Sequence, residues 1–278
     1  MTEWFGSLPT TAAALLQGET VLLAPHSDDE ALGCGGLLAQ APDPSRVHIL
    51  YATDGAASHA YLTPRGLEVR GELIETRKAE ARCAAAVFGI PSKNLHFLDF
   101  PDGALRRQQA QLCAALAALL AALRPQTILL PFRYDRHPDH IAVHRAGIEA
   151  ARSAALLETA VFYEYFIYPE WRELPGGDVR GCLDAAVLAA LALDRAVEVK
   201  RTALACYASQ FTHYFPWQAR PVVPAPLLER SLSQPELFHR CDPARPGMAA
   251  VRRWQPLVAS VIALHRLAPA LKRIRHGL

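Results

Sequence analysis

The chain has 278 residues, of which 51% are hydrophobic and 20% are charged. This composition excludes a mainly disordered protein and supplies ample apolar material for a core. The 29 basic and 27 acidic residues leave a formal net charge of +2, which argues against a general nucleic-acid binder.

The sequence also limits where the protein is expected to work. Its apolar runs are much shorter than the roughly 20 residues that a membrane-spanning helix needs. The first residues have neither a basic segment nor a long apolar segment, so we expect no secretory signal and a cytoplasmic location. Six scattered cysteines without a CxxC pair indicate buried free thiols rather than a disulfide framework.

Short apolar segments alternate with helical patterns through the first 170 residues. Strands are predicted at 20–24, 46–53, 95–100, 127–132 and 160–167, and helices at 72–88, 105–123 and 139–152. This alternation predicts an α/β fold with a mostly parallel sheet and helices on both faces.

The rhythm weakens after Pro169. We expect one or two helices within 183–207, an irregular proline-rich segment at 216–226 and a further helix at 254–275. We therefore predict a single domain over 1–278, with a core of about 19–170 and a helical C-terminal extension of about 171–278.

The first polar motif, Pro25-His26-Ser27-Asp28-Asp29-Glu30, directly follows the first predicted strand. Ligand sites of open α/β sheets lie beyond the carboxyl ends of strands. A divalent cation would relieve the repulsion among the three acids, and imidazole with carboxylate is a common zinc ligand set. One acid would then bind metal while its neighbour stays free as a base. The alternative is a solvated turn whose acids stabilise the start of the next helix.

A glycine-rich segment, Gly33-Cys34-Gly35-Gly36, comes next, and Asp54 ends the second predicted strand. This spacing also fits a dinucleotide site. The acids of the preceding turn would face the pyrophosphate, however, so we interpret the glycines as positions of close helix–sheet packing.

The second polar motif, His137-Pro138-Asp139-His140, follows the strand predicted at 127–132. Proline and aspartate favour a helix start, which places His140 in the first turn as a plausible third ligand beside His26 and Asp29. His137 would face the same space from another direction. His144 lies one turn further on, where a packing role is favoured over metal ligation. The alternative for the whole motif is a polar loop.

Together the two motifs resemble the PIG-L/LmbE-like family of zinc-dependent N-deacetylases, whose hallmarks are (A/P)HPDDE and HPDH. Ser27 stands where the family usually has proline. The resemblance continues at Thr53-Asp54-Gly55, at Arg77 and Glu80, and at Leu98-Asp99-Phe100-Pro101-Asp102-Gly103. It covers about residues 19–165; beyond them, Lys200 and Tyr207-Ala208-Ser209-Gln210 match only loosely.

The resemblance implies a Rossmann-like sheet, an activity and a role for each matching residue. One Zn²⁺ ion per chain would be held by His26, Asp29 and His140. Asp28 would be the general base, His137 would donate to the substrate carbonyl, and Asp139 would support His137. Arg77 and Asp102 match positions that contact sugar hydroxyls in relatives.

The implied reaction removes the N-acetyl group of an N-acetyl amino sugar, such as a GlcNAc-type glycoconjugate or natural-product precursor, and releases acetate and a free amine. The partner is thus a small molecule or glycoconjugate and no nucleic acid. The basic amphipathic stretch at 257–275 leaves contact with a membrane surface open, although docking on the protein's own core is the default.

Two other functions remain as alternatives. A non-catalytic carbohydrate- or metal-binding module would keep the ligands but lack a free base, and Asp28 beside Asp29 argues against it. A nucleotide-binding oxidoreductase is opposed by the acidic turn after the first strand.

Overall fold

The computed structural model describes residues 9–135, 137–167, 183 and 187–243. Its strands are β1 (Pro9–Thr10), β2 (Thr20–Ala24), β3 (Val47–Thr53), β4 (Leu95–Phe100), β5 (Thr127–Pro131), β6 (Val161–Tyr165), β7 (Leu188–Leu191) and β8 (Glu236–Cys241). Its α-helices are α1 (Ala12–Leu15), α2 (Asp29–Ala39), α3 (Arg70–Val87), α4 (Gln109–Leu123), α5 (Pro138–Ser153), α6 (Ala196–Ala205), α7 (Ala208–Phe211) and α8 (Ala225–Ser233). Short 3₁₀ turns occupy Pro44–Arg46, Ser92–Asn94 and Leu105–Gln108.

The eight strands form one sheet in the order β1-β7-β8-β6-β5-β2-β3-β4. Strands β2 to β6 are parallel to their neighbours within this set, whereas β8 runs antiparallel to both β6 and β7. The chain places β3 and β4 on one side of β2, and β5 and β6 on the other. The boundary between β2 and β5 is therefore the switch point at which such sheets bind ligands.

The strand β2 is buried over its whole length, because helices cover both faces of the sheet. Leu22 points into a core that includes side chains from α2, α3 and α6. Leu23 points to the opposite face, into a core built with α4 and α5. This three-layer arrangement confirms the predicted α/β fold with a mostly parallel sheet between helices.

The glycines of α2 allow close packing, as the sequence predicts. A Cβ atom on Gly33 would lie 2.6 Å from Cδ2 of Tyr165, and one on Gly35 would lie 2.7 Å from Cγ of Lys200. Both distances are shorter than a normal carbon–carbon contact, so a larger residue would push α2 away from its neighbours.

The C-terminal extension differs from the prediction of a helical segment. It contains α6, α7 and α8, but it also adds β7 and β8 to the sheet. Residues 188–191 form a strand where the Ala/Leu-rich pattern predicted a helix, because pairing with β8 overrides local propensity. The helix predicted at 254–275 lies outside the described residues, and the single-domain assignment stays a prediction.

Two of the six cysteines are paired, which corrects the expectation of free thiols throughout. Cys83 on α3 and Cys206 after α6 form a disulfide with their Cα atoms 5.8 Å apart. Cys34, Cys113 and Cys241 are free, and Cys182 lies outside the described residues. None of the helices in the described ranges is long and apolar enough to cross a membrane.

Candidate active site

The two polar motifs meet at the switch point of the sheet. The first motif leaves the carboxyl end of β2 and opens α2, and the second leaves the neighbouring β5 and opens α5. Pro138 occupies the first turn of α5, and the ring of His137 caps this helix by accepting from the backbone N–H of Asp139 at 3.2 Å. Parallel pairing of β2 with β5 therefore brings residues that are distant in sequence to one edge of the sheet.

The carboxylate of Asp29 lies between two imidazole rings. Its Oδ2 atom is 3.1 Å from Nδ1 of His26 and 3.3 Å from Nε2 of His140. The backbone N–H of His26 also donates to this oxygen at 2.8 Å. Asp29 and His140 are almost fully buried, and Asp29 contacts the other two predicted ligand residues.

Other ligand-type side chains surround the same point. The nearest ligand atoms of His26, His137 and His140 lie within 4.8 Å of one another, as do those of a second set made of His26, Asp102 and Asp139. The rings of His26 and His137 meet edge to face with centroids 4.7 Å apart. The cluster thus offers more donor atoms than the three predicted ligands.

Asp102 and Asp139 lie on the other side of the His26 ring. Its Nε2 atom is 3.2 Å from Oδ1 of Asp102 and 3.6 Å from Oδ2 of Asp139. The other Asp102 oxygen accepts from the backbone N–H of Ala57 at 3.0 Å. Asp102, predicted to bind substrate, is therefore already engaged with the imidazole cluster.

The Asp139 carboxylate makes a different contact from the predicted support of His137. It accepts from the backbone N–H groups of Gly103 at 2.7 Å and of Leu105 at 3.2 Å. Asp139 bonds to the His137 ring through its backbone N–H. This carboxylate therefore ties the loop after β4 to the start of α5.

Asp28 stands beside the cluster and is held by a buried arginine. Nη2 of Arg77 donates to Oδ1 of Asp28 at 3.3 Å and to the carbonyl of Ser27. Arg77 is only 2% exposed, and its Nε and Nη1 atoms have no hydrogen-bond partner among the described residues. Such buried, unused donors suit an acceptor supplied by a ligand.

The charges of the cluster favour a cation at its centre. Burial opposes protonation of His140, but Asp29 and Asp135 outweigh it and raise the pKa of His140 to about 10. Burial also opposes protonation of His26, whose pKa nevertheless lies well above its usual value, chiefly because of Asp102. Burial raises the pKa of Asp29, but its two imidazole neighbours lower it by more. Because metal binding releases protons from imidazoles, a bound cation would replace these positive charges.

Two further groups of the site have shifted pKa values. Burial raises the pKa of the Asp28 carboxyl to about 6, against the opposing charge of Arg77. Burial, together with the charges of His26 and His140, lowers the pKa of His137 to about 4. A carboxyl group whose pKa lies near neutral pH can both accept and release a proton, and a neutral imidazole can donate a hydrogen bond, so this pair suits proton transfer.

The motifs did not indicate several residues that complete the site. Oδ1 of Asp135 lies 3.2 Å from Nδ1 of His140, where it can fix the orientation of that ring. Glu30 accepts from the hydroxyl of Tyr207, a residue of the C-terminal extension. The sequence signals were weak: Asp135 lies next to the second motif, and Tyr207 lies in a loosely matching segment.

His144 makes its contacts outside the predicted ligand set. Its Nδ1 atom is 3.0 Å from the carbonyl oxygen of Pro131 and 3.5 Å from Glu164. Glu164 also accepts from Arg133 and pairs with His239 at 2.9 Å. The geometry agrees with the packing role favoured for His144.

The region that contains both motifs is similar in sequence to known deacetylases. Residues 21–151 match the model of the family described as PIG-L, GlcNAc-PI de-N-acetylase. The chain is 33% identical over 144 residues to diacetylchitobiose deacetylase of Thermococcus kodakarensis, which covers 50% of this chain and 51% of the relative. It is 28% identical over 181 residues to 2'-N-acetylparomamine deacetylase of Streptomyces fradiae, which covers 59% of this chain and 62% of the relative. The match thus spans about half to three fifths of these relatives.

The fold is shared with a solved structure that covers more of the chain. N,N'-diacetylchitobiose deacetylase from Pyrococcus horikoshii, in complex with its inhibitor MPG, superposes with a TM-score of 0.58. The alignment covers 82% of this chain and 85% of that chain at 19% sequence identity. At this identity the similarity establishes the common fold alone.

Proposed function

Because residues 21–151 match the PIG-L family model, we propose that the chain is a metal-dependent hydrolase that removes the N-acetyl group from an N-acetyl amino sugar. The observation that carries this proposal is the buried Asp28 carboxylate, which lies close enough to Asp29 and His26 to interact with them electrostatically, while Asp29 contacts both His26 and His140. Such an arrangement supplies a metal site and a separate base, which amide hydrolysis needs together.

The residues that would hold a zinc ion are His26, Asp29 and His140, because Oδ2 of Asp29 lies near a nitrogen of each imidazole. Imidazole nitrogens together with a carboxylate oxygen are a common donor set for zinc. The distances from Oδ2 of Asp29 to the two imidazole nitrogens are 3.1 Å and 3.3 Å. A divalent ion held by these residues would supply Lewis acidity, which would lower the pKa of water to about 7 and polarise a carbonyl group.

Asp28 is the residue that would take the proton from the attacking water. Its carboxylate is not among the three proposed ligands, and Arg77 fixes one of its oxygens. The water oxygen forms a bond to the acetamide carbon, and the water proton passes to Asp28. The C–N bond then breaks, and the amine nitrogen receives a proton from Asp28, because the neutral His137 ring can donate a hydrogen bond but has no proton to give up.

His137 is placed to donate a hydrogen bond to the substrate carbonyl. Its Nδ1 atom accepts from the backbone N–H of Asp139, so the neutral ring carries its proton on Nε2. A donor aimed at the developing negative charge on oxygen contributes roughly 2.7–4 kcal/mol in hydrolase sites. Asp139 supports this donor through its backbone.

Arg77 is the better supported of the two proposed substrate contacts. Its unused Nε and Nη1 groups suit a sugar hydroxyl or carbonyl oxygen, and it lies beside Asp28. Asp102 would contact the substrate only through an oxygen that also faces His26 or Ala57. The family description and the names of the two sequence relatives support an N-acetylated amino sugar as the substrate class. A cytoplasmic location stays a prediction from the sequence.

The test is acetate release from a panel of N-acetyl amino sugars by the full chain. The panel contains free GlcNAc, a disaccharide with GlcNAc at its non-reducing end, and an N-acetylated aminoglycoside. We expect acetate and amine in equal amounts with at least one member, loss of activity with a chelator and recovery when zinc is added back. No acetate from any member by the zinc-loaded protein, or activity unchanged by chelation to the metal-free state, would contradict the proposal.

A further inference from the structure

Glu30 links the C-terminal extension to the proposed base. The hydroxyl of Tyr207 donates to Oε1 of Glu30, and the backbone N–H of Asp28 donates to Oε2 of the same carboxylate at 3.2 Å. Glu30 and Tyr207 are both fully buried. One side chain of the extension is therefore connected to the backbone of Asp28 through a single carboxylate.

The backbone of Asp28 needs such support. Its φ of 147° and ψ of −20° lie in a region that non-glycine residues rarely adopt. A conformation of this kind is strained and persists only where the surroundings hold it. Arg77 holds the preceding carbonyl and the Asp28 carboxylate, while Glu30 holds the Asp28 N–H group.

The segment that carries Tyr207 is itself fixed on the family-matched region. Cys206 is disulfide-bonded to Cys83 of α3. On the other side of Tyr207, both the backbone N–H and the hydroxyl of Ser209 donate to Glu80 of α3 at 2.7 Å. Tyr207 is thus anchored on both sides, so its hydroxyl position is defined relative to α2.

We propose that Tyr207 and Glu30 are positioning residues that hold Asp28 in the geometry required of the base. The inference rests on the proposed function for its catalytic consequence. Neither residue needs to touch the substrate, because both act through the backbone of Asp28. The C-terminal extension, which lies beyond residues 21–151, would thus complete the active site through the contact of Tyr207 with Glu30 of α2.

A second buried tyrosine provides the matched control. Tyr165 is fully buried like Tyr207, and its hydroxyl donates to the carbonyl of Leu23 at 2.8 Å. Tyr165→Phe and Tyr207→Phe therefore each remove one buried hydroxyl and one hydrogen bond. Only the second of these bonds ends on Glu30.

The experiment measures kcat, KM and metal content of the zinc-loaded full chain, together with hydrogen exchange of the peptide that contains the Asp28 amide. For Tyr207→Phe we expect kcat to fall about tenfold or more with KM within about twofold, the pattern of a lost transition-state interaction. Metal content should stay at the wild-type level, and the Asp28 amide should exchange faster. Glu30→Gln should behave alike, because the amide nitrogen of glutamine cannot accept a hydrogen bond from one of the two donors.

Tyr165→Phe should leave kcat and exchange at Asp28 near wild-type values. Unchanged kcat and exchange in Tyr207→Phe, or equal changes in the two tyrosine variants, would overturn the positioning role. If the wild-type protein releases no acetate from any substrate, the proposed function fails. Exchange at Asp28 then still decides whether Tyr207 and Glu30 hold that residue.

Discussion

Oδ2 of Asp29 lies 3.3 Å from Nε2 of His140, although the two residues come from opposite ends of the region that matches the family model. Asp29 begins α2 after β2, and His140 lies in the first turn of α5 after β5. Parallel pairing of these two strands makes the contact, so the metal site that we propose depends directly on the topology of the sheet.

His140→Ala should remove most of the metal. The change deletes one of three proposed protein ligands, and loss of an outer-shell partner alone already weakens metal binding about 10–100-fold. Zinc content after dialysis against a moderate chelator measures the effect. His144→Gln is the control, since His144 lies one turn further along α5 and bonds to the Pro131 carbonyl. A full zinc complement in His140→Ala would remove this residue from the ligand set.

Asp28→Asn should keep the metal and lose most of the turnover. Asparagine preserves the size of the side chain but cannot take a proton from water, and general bases contribute about 10²–10⁴-fold to rate. The measurements are kcat on the best substrate and zinc content of the same sample. Asp99→Asn is the matched control, because Asp99 is half exposed and pairs with Lys78 at 2.8 Å. Near wild-type turnover in Asp28→Asn would disprove the assignment of the base.

Asp135→Asn should weaken metal binding without abolishing it. Asp135 faces Nδ1 of His140 at 3.2 Å, and its charge favours the ring orientation that presents Nε2 to Asp29. An asparagine keeps an oxygen for the backbone N–H of His137 but loses the charge. Competition with a chromophoric chelator should show an affinity about 10–100-fold lower. An unchanged affinity would mean that Asp135 plays no part in orienting His140.

The sequence predicted the core of the fold because its signals there are local. The apolar segment at 20–24 indicates a buried strand by itself. Proline and glycine residues likewise indicate where the helices begin and end, and neither signal depends on contacts with the rest of the chain. The same holds for the two polar motifs, which follow strands directly. Position at a strand end is enough to bring His26, Asp29 and His140 together once the sheet is parallel.

The remaining features depend on contacts between distant segments. The Ala/Leu pattern of 188–191 favours a helix, and its strand conformation comes from pairing with β8. Cys83 and Cys206 are 123 positions apart and become neighbours only when α6 packs on α3. The link from Tyr207 to Glu30 has the same origin, so a single sequence gave no basis for proposing it.

Loss of the disulfide should destabilise the protein measurably. The Cys83–Cys206 bond closes a long loop. Native disulfides typically contribute about 2–4 kcal/mol to the free energy of unfolding. Cys83→Ser should lower that free energy in urea titrations, and dithiothreitol should destabilise the wild type but not the variant. Cys113→Ser, at a half-buried free cysteine, is the control. Equal stability of Cys83→Ser and wild type would contradict the expectation.

Glu164 should make the fold sensitive to acid. Arg133 donates to this buried carboxylate through Nε at 2.6 Å and through Nη2 at 3.1 Å, and His239 pairs with it at 2.9 Å. Burial raises the pKa of Glu164, but these neighbours outweigh it and lower the pKa to about 2. A lowered pKa in the folded state means that the ionised group stabilises the fold above its ordinary pKa of about 4.3.

That stability is lost as the pH falls from about 4.5 towards 2, because the unfolded chain then binds a proton more readily than the folded protein. The lowered pKa of Glu164 corresponds to a contribution of about 3 kcal/mol to the free energy of unfolding at neutral pH. Glu164→Gln should therefore unfold at lower urea concentration than wild type at pH 7, with a smaller further loss between pH 5 and pH 3. Parallel curves of unfolding free energy against pH for the two proteins would show that Glu164 does not carry this acid sensitivity.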